Sequence, residues 1–326
     1  MADATLVRGR DEVRVTAAAA VAAGEVWQMK DGRAAVYAGL NAAASGDRTS
    51  FVTTGQFTFT KTASMVLLDG GRAYWDHSAN AVSYKKVNDR DFYLGRVVGD
   101  AASADTTCVV NINVDPPYDI DILRDGALSV ATGTSAAGGF SLPRVYGGAR
   151  GLVLTSTNEA QCVDILSVDR FAVGANAIVE AIVRLGTNGS TSDVDFNIGI
   201  ANGTSTTDAD AITESCFVHI DGGALDLFAE SDDGTTEVNA TDTTINVTAG
   251  SAVSDRFEVW FDLRDPADIQ IYVNGALVLG STVFKLDAAT GPLGLLVHLE
   301  KVSGTATAGP IYVDALRARL SEQNAA

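Results

Sequence analysis

The feature that most constrains the fold is an alternation of apolar and polar residues with a period of two. Short runs rich in Val, Ile, Thr, Tyr and Phe recur from end to end, bounded by Gly, Asn or Asp. Such runs are typical of β-strands with one buried face, whereas the 3.6-residue period of amphipathic helices is scarce. The sequence therefore predicts an all-β protein, with a tight hairpin turn at Asn274-Gly275.

Prolines and small residues divide the chain into three segments. Asp115-Pro116-Pro117 ends the first group of strands, because proline cannot donate a hydrogen bond to a sheet. Residues 133–139 are all Gly, Ser, Thr or Ala, a composition typical of linkers. We predict a small β-barrel or sandwich over residues 1–115, a linker over 116–139 and a larger jelly-roll β-sandwich over 140–326.

Charge is distributed unevenly between these segments. Residues 1–115 carry 12 basic and 13 acidic side chains, whereas residues 116–326 carry 11 and 28. An acidic surface repels nucleic acid, so no nucleic-acid partner is expected. No apolar run approaches the roughly 18 residues of a membrane helix, and we interpret the alanine-rich run after Arg14 as a connecting segment, not a signal peptide. No membrane partner is expected.

Residues suited to catalysis are few. His219 and His298 lie within predicted strands, where a hydrogen-bonded sheet histidine is the default interpretation, and no nucleophile-elbow, zinc-protease or phosphate-loop motif occurs. Cys108, Cys162 and Cys216 are predicted to be buried free thiols, because their number and spacing fit neither disulfides nor a metal site. We therefore expect no enzyme and no cofactor. A glycan-cleaving enzyme is the alternative, and it needs two carboxylates facing each other across a cleft.

Paired aspartates could in principle hold a cation. None matches the spacing of a calcium-binding loop, and aspartates between strands usually form turns. The sequence thus predicts solvated turns and no metal site. The pairs concerned are Asp193/Asp195, Asp208/Asp210 and Asp232/Asp233.

One aromatic residue of the predicted sandwich is a candidate for ligand contact. In the run from Phe257 to Leu263, alternation places Trp260 on the face opposite to the apolar residues, together with Glu258 and Asp262. Trp260 would then mark a glycan-binding face. The alternative is a rim aromatic that packs under a loop.

The run from Leu67 to Tyr84 combines aromatic, acidic and histidine residues, and we interpret it as a hairpin. Gly70-Gly71 leads into a strand, and His77 lies in the turn before the strand returns. Alternation sends Tyr74 and Trp75 to opposite faces. One of the two should fill the core, and the other should face solvent or a neighbouring subunit.

Five pieces of the first segment, in this order, resemble the decoration or cement proteins of tailed-phage capsids. The resemblance implies a β-rich module that binds the outer face of the phage head, contacts the major capsid protein and reinforces contacts between capsomers. It further implies a homo-oligomer, with a trimer expected, on the virion surface after assembly in the host cytoplasm. The outward-facing one of Tyr74 and Trp75 is then a candidate for the capsid or subunit contact. The matching pieces are residues 13–17, 23–26, 32–39, 68–76 and 94–106.

The larger segment resembles concanavalin-like or laminin-G-like jelly rolls, notably in residues 256–263 and 269–275. This is a likeness of fold and brings no ligand with it. The function expected from the sequence is a non-enzymatic capsid decoration protein that displays a projecting β-sandwich. The alternative is a lectin-like head fibre that binds host or environmental glycans.

Overall fold

The computed structural model describes residues 4–8, 11–124, 128–132, 140–141, 150–154, 160–186, 194–221, 223, 225–250, 252–302 and 308–320. The chain divides into two compact units, residues 1–117 and 118–326. Among the described residues the only helical segments are two 3-10 turns, Ala209–Ala211 and Val253–Asp255. The all-β prediction is confirmed.

The first unit consists of a six-stranded sheet in the order β1-β6-β10-β9-β7-β8 and a four-stranded sheet in the order β2-β5-β4-β3. Asn113 connects the two sheets, since its side-chain amide donates to the carbonyl oxygens of Ala34 and Thr53. The strands are β1 (Ala4–Arg8), β2 (Glu12–Thr16), β3 (Val26–Gln28), β4 (Ala34–Tyr37), β5 (Arg48–Val52), β6 (Gly55–Thr60), β7 (Arg72–Asp76), β8 (Ala81–Ser83), β9 (Phe92–Val97) and β10 (Thr107–Ile112).

The second unit is a sandwich of two antiparallel sheets. One has seven strands in the order β12-β15-β24-β17-β18-β19-β20; the other follows the order β13-β14-β25-β16-β21-β22-β23, with β11 beside β25. The strands are β11 (Ile120–Asp121), β12 (Leu128–Thr132), β13 (Phe140–Ser141), β14 (Arg150–Leu154), β15 (Gln161–Ser167), β16 (Ile178–Leu185), β17 (Val194–Ala201), β18 (Glu214–Asp221), β19 (Asp226–Asp233), β20 (Glu237–Asn246), β21 (Phe257–Asp262), β22 (Gln270–Val273), β23 (Ala276–Val278), β24 (Gly294–Lys301) and β25 (Ala308–Arg319).

One large apolar core lies between the two sheets of the sandwich, and alternation explains its membership. In β15, for example, Val163 and Ile165 belong to this core, so Asp164 between them must leave the sheet on the outer face. The hairpin predicted at Asn274-Gly275 is confirmed, because both residues have the positive φ of such a turn and join β22 to β23. The three cysteines are free and buried, as predicted.

The segment predicted as a linker, residues 116–139, differs from that prediction. Ile120 and Asp121 pair with β25, and residues 128–132 pair with β15, so part of the segment belongs to the sandwich. The two prolines mark the end of the first unit, but β11, the first strand after them, has only two residues, too few for alternation to reveal. The small-residue stretch 133–139 lies outside the described residues.

Candidate functional site

The hairpin predicted around Tyr74 and Trp75 is present as β7 and β8, with Trp75 opposite Val82. Trp75 fills the core at 1% exposure, and its ring centroid lies 6.1 Å from that of Phe59. Tyr74 is half-buried on the other face. Trp75 is therefore unavailable for a capsid or subunit contact, and Tyr74 remains the candidate.

The acidic residues of this hairpin shape its turn. Asp76 Oδ1 accepts hydrogen bonds from the backbone amides of Ser78 and Ala79, and Asp91 Oδ1 accepts one from the amide of His77. Burial alone would raise the pKa of Asp76, but hydrogen bonds from the Ser78 hydroxyl and from the backbone amides of Ala79 and Ser78 outweigh it and lower the pKa. The run that looks like an active site is a turn held by two carboxylates.

A bulge in β9 brings two arginines and two tyrosines to the outer face of the six-stranded sheet. Gly95 has a φ of +154°, and a Cβ there would lie 2.2 Å from the carbonyl oxygen of Asn111. The register shifts here, so that Tyr93 pairs with Tyr74 and Arg96 pairs with Arg72. The tyrosine rings meet edge to face, with centroids 5.5 Å apart. We call the half-buried set of Arg72, Tyr74, Tyr93 and Arg96 the Arg–Tyr surface.

Trp260, the predicted ligand-face residue, is only 6% exposed. Its indole Nε1 donates to Glu258 Oε1 at 2.8 Å, and its ring centroid lies 6.2 Å from that of Tyr272. Its burial contradicts the interpretation as a ligand-face residue and fits the alternative of an aromatic that packs within the protein. Alternation assigned its face correctly, but its acidic neighbours bind protein groups in place of water: Glu258 bonds to Trp260, and Asp262 pairs with Arg264.

A row of polar side chains crosses the outer face of the seven-stranded sheet. Asp164, His298, Asn197 and His219 are register partners on four neighbouring strands, β15, β24, β17 and β18. The residues on either side of each belong to the core, so all four leave the sheet on the outer face. Asp164, His298 and Asn197 are nevertheless completely buried. We call these four residues the polar row.

Residues 202–213, which connect β17 to β18, lie over part of this face. Ala209 and Ile212 of this covering segment form a small apolar cluster with the outward side chains of Phe217 and Leu296. The backbone amide of Ser205 donates to Asp164 Oδ2 at 2.8 Å. The covering segment therefore removes part of the polar row from solvent.

At one end of the polar row, His298 has a carboxylate on each ring nitrogen. Its Nδ1 lies 2.5 Å from Asp164 Oδ1, and its Nε2 lies 3.2 Å from Glu300 Oε2. Burial opposes a charge on the ring, but the hydrogen bonds with Asp164 and Glu300 outweigh it and raise the pKa of His298 to about 9. The interpretation of His298 as a hydrogen-bonded sheet histidine is confirmed.

At the other end of the polar row, His219 does not have a carboxylate within hydrogen-bond distance of its Nδ1. Its Nδ1 lies 3.6 Å from Glu230 Oε2, too far for a hydrogen bond, and has no hydrogen-bond partner among the described residues. Burial opposes a charge on His219, but the carboxylates of Glu230, Asp195 and Asp210 outweigh it and raise its pKa to about 9. The interpretation as a hydrogen-bonded histidine is wrong for Nδ1 of this residue.

Two aspartates expected in solvated turns lie beside His219. Asp195 is a residue of β17, and burial is the main cause that raises its pKa to about 6. Asp210 is exposed as a residue, but partial burial of its carboxyl group, followed by the charges of Glu230 and Asp208, raises its pKa to about 7. The other described aspartates form turns as predicted: Asp208 caps the 3-10 turn, and Asp232 and Asp233 accept turn amides. Asp233 is buried, however, and not solvated. Asp193 lies outside the described residues.

The arrangement could support two kinds of chemistry. Carboxyl groups with raised pKa values can hold or release a proton near neutral pH. In addition, Asp210, His219 and Glu230 each offer one ligand atom, all within 4.8 Å of one another, which is the composition of a metal site. Asp164, Asn197 and Glu230 were not singled out from the sequence. Their signal was a polar residue at an outward position of an otherwise apolar strand, which gains meaning only when the strand register is known.

The first unit has a counterpart among known families. Residues 7–112 match the family model of phage cement proteins. The match covers nearly all of the first unit and none of the second. It supports the resemblance of the first segment to phage cement proteins that the sequence indicates. No curated protein matches the chain in sequence.

Several solved structures are similar to the chain. The carbohydrate recognition domain of Emp47p is 14% identical, over 62% of this chain and 94% of that chain, with a TM-score of 0.42. A carbohydrate esterase of the Shiga toxin-encoding bacteriophage phi24B is 11% identical, over 61% and 93%, with a TM-score of 0.36. The galectin LEC-6 of Caenorhabditis elegans is 14% identical, over 50% and 94%, with a TM-score of 0.30.

Within the described part of the chain, no helix has the length and apolar character needed to cross a membrane.

Proposed function

We propose that this chain is a non-enzymatic decoration protein of a phage capsid. In this proposal the first unit binds the outer surface of the head, contacts the major capsid protein and stabilises the contacts between capsomers, and the second unit is displayed as a projecting sandwich. The observation that carries the proposal is the match of residues 7–112 to the phage cement family. Homo-oligomerisation, as a trimer, and a location on the virion surface belong to the same proposal.

The charge distribution supports this division of roles. The first segment is nearly neutral, so it can approach a protein shell without long-range repulsion, whereas the acidic remainder of the chain stays solvated and keeps neighbouring copies apart. Contacts repeated over a symmetric lattice add up to firm attachment even when each is weak. Such attachment requires no catalytic residue.

The Arg–Tyr surface is the proposed contact with the capsid or with a neighbouring subunit. Arginine and tyrosine are enriched among the residues that dominate binding energy at protein interfaces. Tyr74 is supported from below by the ring of Tyr93, whose hydroxyl donates to the carbonyl oxygen of Val114 at 2.7 Å. A side chain held in this way loses little conformational entropy on binding.

Co-sedimentation with emptied heads of the phage that encodes the chain tests this proposal. We expect the full chain to sediment with the heads and Tyr74→Ala or Arg96→Ala to weaken binding by about tenfold or more. Arg14→Ala is the matched control, since it removes the same charge from an exposed position on the four-stranded sheet. No binding by the full chain would disprove the proposal.

A second sample separates the roles of the two units. A chain that ends at Pro117, the boundary between the units, should bind the heads about as well as the full chain does. If only the full chain binds, the roles of the units are reversed. Equal binding by Tyr74→Ala, Arg96→Ala and the unchanged chain would place the contact elsewhere on the first unit.

The residue that favoured the lectin-like alternative is not accessible to a sugar. Trp260 is buried and bonded to Glu258, so it does not form an open sugar-binding platform. A jelly-roll fold alone does not imply glycan binding. A glycan array probed with the full chain tests the alternative, and binding that survives Trp260→Phe would support a glycan site at another position.

A further inference from the structure

The two outward histidines of the polar row differ in how their ring nitrogens are satisfied. His298 has carboxylate oxygens at 2.5 Å from Nδ1 and 3.2 Å from Nε2, so protein groups alone complete it. His219 faces just as many acidic groups, yet its Nδ1 has no hydrogen-bond partner among the described residues. A histidine whose Nδ1 lacks a partner, in the same row as a histidine whose two ring nitrogens both face carboxylates, requires a separate explanation.

The distances around His219 suit coordination better than hydrogen bonding. Nδ1 lies 3.6 Å from Glu230 Oε2, beyond the range of a hydrogen bond. Two ligand atoms bound at about 2.1 Å to one ion are separated by about 3.0–3.4 Å. The observed separation is close to that of neighbouring ligands. Asp210 places a carboxylate oxygen within 4.8 Å of both, and rotation of this exposed side chain can bring it closer.

Further buried polar atoms beside His219 also have no partner. Glu230 is 7% exposed, and its Oε1 has no hydrogen-bond partner in the described part of the chain. Asn197, the register partner of His219 in β17, is completely buried, and both its amide nitrogen and its amide oxygen are unpartnered there. Buried polar groups left unpaired destabilise a fold, so a group that binds them is expected. A bound ion and its water molecules would satisfy all of them.

We propose that Asp210, His219 and Glu230 bind one divalent first-row transition metal ion. Two carboxylates and a neutral imidazole bring a charge of −2, which balances the charge of such an ion. The nitrogen ligand disfavours Ca²⁺ and Mg²⁺, which prefer oxygen, and suits Zn²⁺ or Mn²⁺. The exposed side of Asp210 leaves room for water in the remaining coordination positions, and Asn197 can hydrogen-bond to that water.

The ion would connect three elements that are separate in the chain. His219 and Glu230 belong to β18 and β19, whereas Asp210 belongs to the covering segment. Coordination would therefore fix the covering segment to the outer face of the seven-stranded sheet, above the polar row. This inference goes beyond the proposed function, because it concerns the second unit alone and does not depend on capsid or glycan binding.

The test is titration of the full chain, free of any polyhistidine tag and freed of metal by a chelator, with Zn²⁺ in a calorimeter. We expect one Zn²⁺ per chain and a melting temperature that rises with Zn²⁺ concentration. Asp210→Asn and Glu230→Gln should each weaken binding by at least about tenfold. Asp208→Asn is the matched control, since Asp208 is an exposed neighbour in the same segment and asparagine still caps the 3-10 turn.

Each outcome decides the proposal. Absence of stoichiometric Zn²⁺ binding by the unchanged chain, or an equal loss in Asp208→Asn and Asp210→Asn, would overturn it. Ca²⁺ that competes with Zn²⁺ at equal concentration would overturn the choice of a transition metal. Because Asp210 is exposed, its substitution is not expected to prevent folding, so the test remains decisive even if Glu230→Gln does not fold. Visible absorption of bound Co²⁺, expected to change in Asp210→Asn but not in Asp208→Asn, gives an independent readout.

Discussion

The outer faces of two sheets, one in each unit, carry polar residues generated by the same alternation but differ in their surroundings. In the first unit the Arg–Tyr surface is half-buried and keeps contact with solvent. In the second unit the polar row is covered, and Asp164, Asn197 and His298 are completely buried. Residues 202–213, which lie over part of the second face, contribute to this difference. A polar outer face can thus serve either as a binding surface or as an internal network, and a covering segment decides which.

The largest expected effect is a difference in stability between substitutions at two neighbouring residues of the first unit. Trp75→Ala should lower the free energy of unfolding of that unit by about 3–5 kcal/mol, because it leaves a cavity in the core. Tyr74→Ala should cost about 1 kcal/mol or less, since Tyr74 lies half-exposed on the opposite face. Differential scanning calorimetry of both variants measures this contrast. Similar losses for both would mean that the Arg–Tyr surface is part of the core.

A smaller effect tests whether the polar row stabilises the second unit. Asp164→Asn removes the carboxylate that faces His298 Nδ1 and should lower the free energy of unfolding by about 3 kcal/mol, because a buried charge loses its partner. Urea unfolding, followed by a signal of the second unit, measures the loss. Asp208→Asn, an exposed carboxylate of the covering segment, should change stability by no more than about 0.5 kcal/mol. Equal effects would show that the buried row behaves like the solvent-exposed surface.

The pH dependence of stability follows from His298. Its pKa of about 9 in the folded chain lies above the value of 6.5 expected when unfolded. The stabilisation from the protonated ring is therefore complete only below about pH 6.5 and is lost as the pH rises through about 9. We expect a loss on the order of 2 kcal/mol between these values.

Unfolding measured across this range in the presence of a chelator tests the prediction. The groups that face the ring are Asp164 from β15 and Glu300 from the same strand. His219, with a similarly raised pKa, contributes in the same direction. His298→Gln should flatten the curve, and an unchanged slope would show that His298 is neutral when buried.

Much of the fold could be predicted from the sequence, because alternation and turn residues are local signals. The β7–β8 hairpin and the turn at Asn274-Gly275 both occur where those signals indicated. The short strand at Ile120–Asp121 could not be predicted, since two residues carry no period. Its place depends on pairing with β25, almost two hundred residues further along the chain.

The candidate site was much harder to predict than the fold. Asp164, Asn197, His219 and His298 come from four strands that are scattered in sequence, and only the register of the sheet aligns them. Alternation predicts that each leaves the apolar core, but it cannot show whether another segment covers it. Alternation likewise assigned Trp260 to the face away from the core, but it could not show that Glu258 and Tyr272 contact the indole there.

Substitution of Trp260 has the smallest expected effect and tests whether the face that carries it is covered or open. Trp260→Phe keeps an aromatic ring against Tyr272 but removes the indole N–H that donates to Glu258 Oε1 at 2.8 Å. We expect a loss of about 1 kcal/mol in the free energy of unfolding, the usual net value of one hydrogen bond, and no change in head binding. Tyr272→Phe is the control, because it alters the neighbouring ring without removing this hydrogen bond. A loss of head or glycan binding in Trp260→Phe, with stability unchanged, would mean that this face is open in solution and functions as a binding surface, as the Arg–Tyr surface is proposed to do.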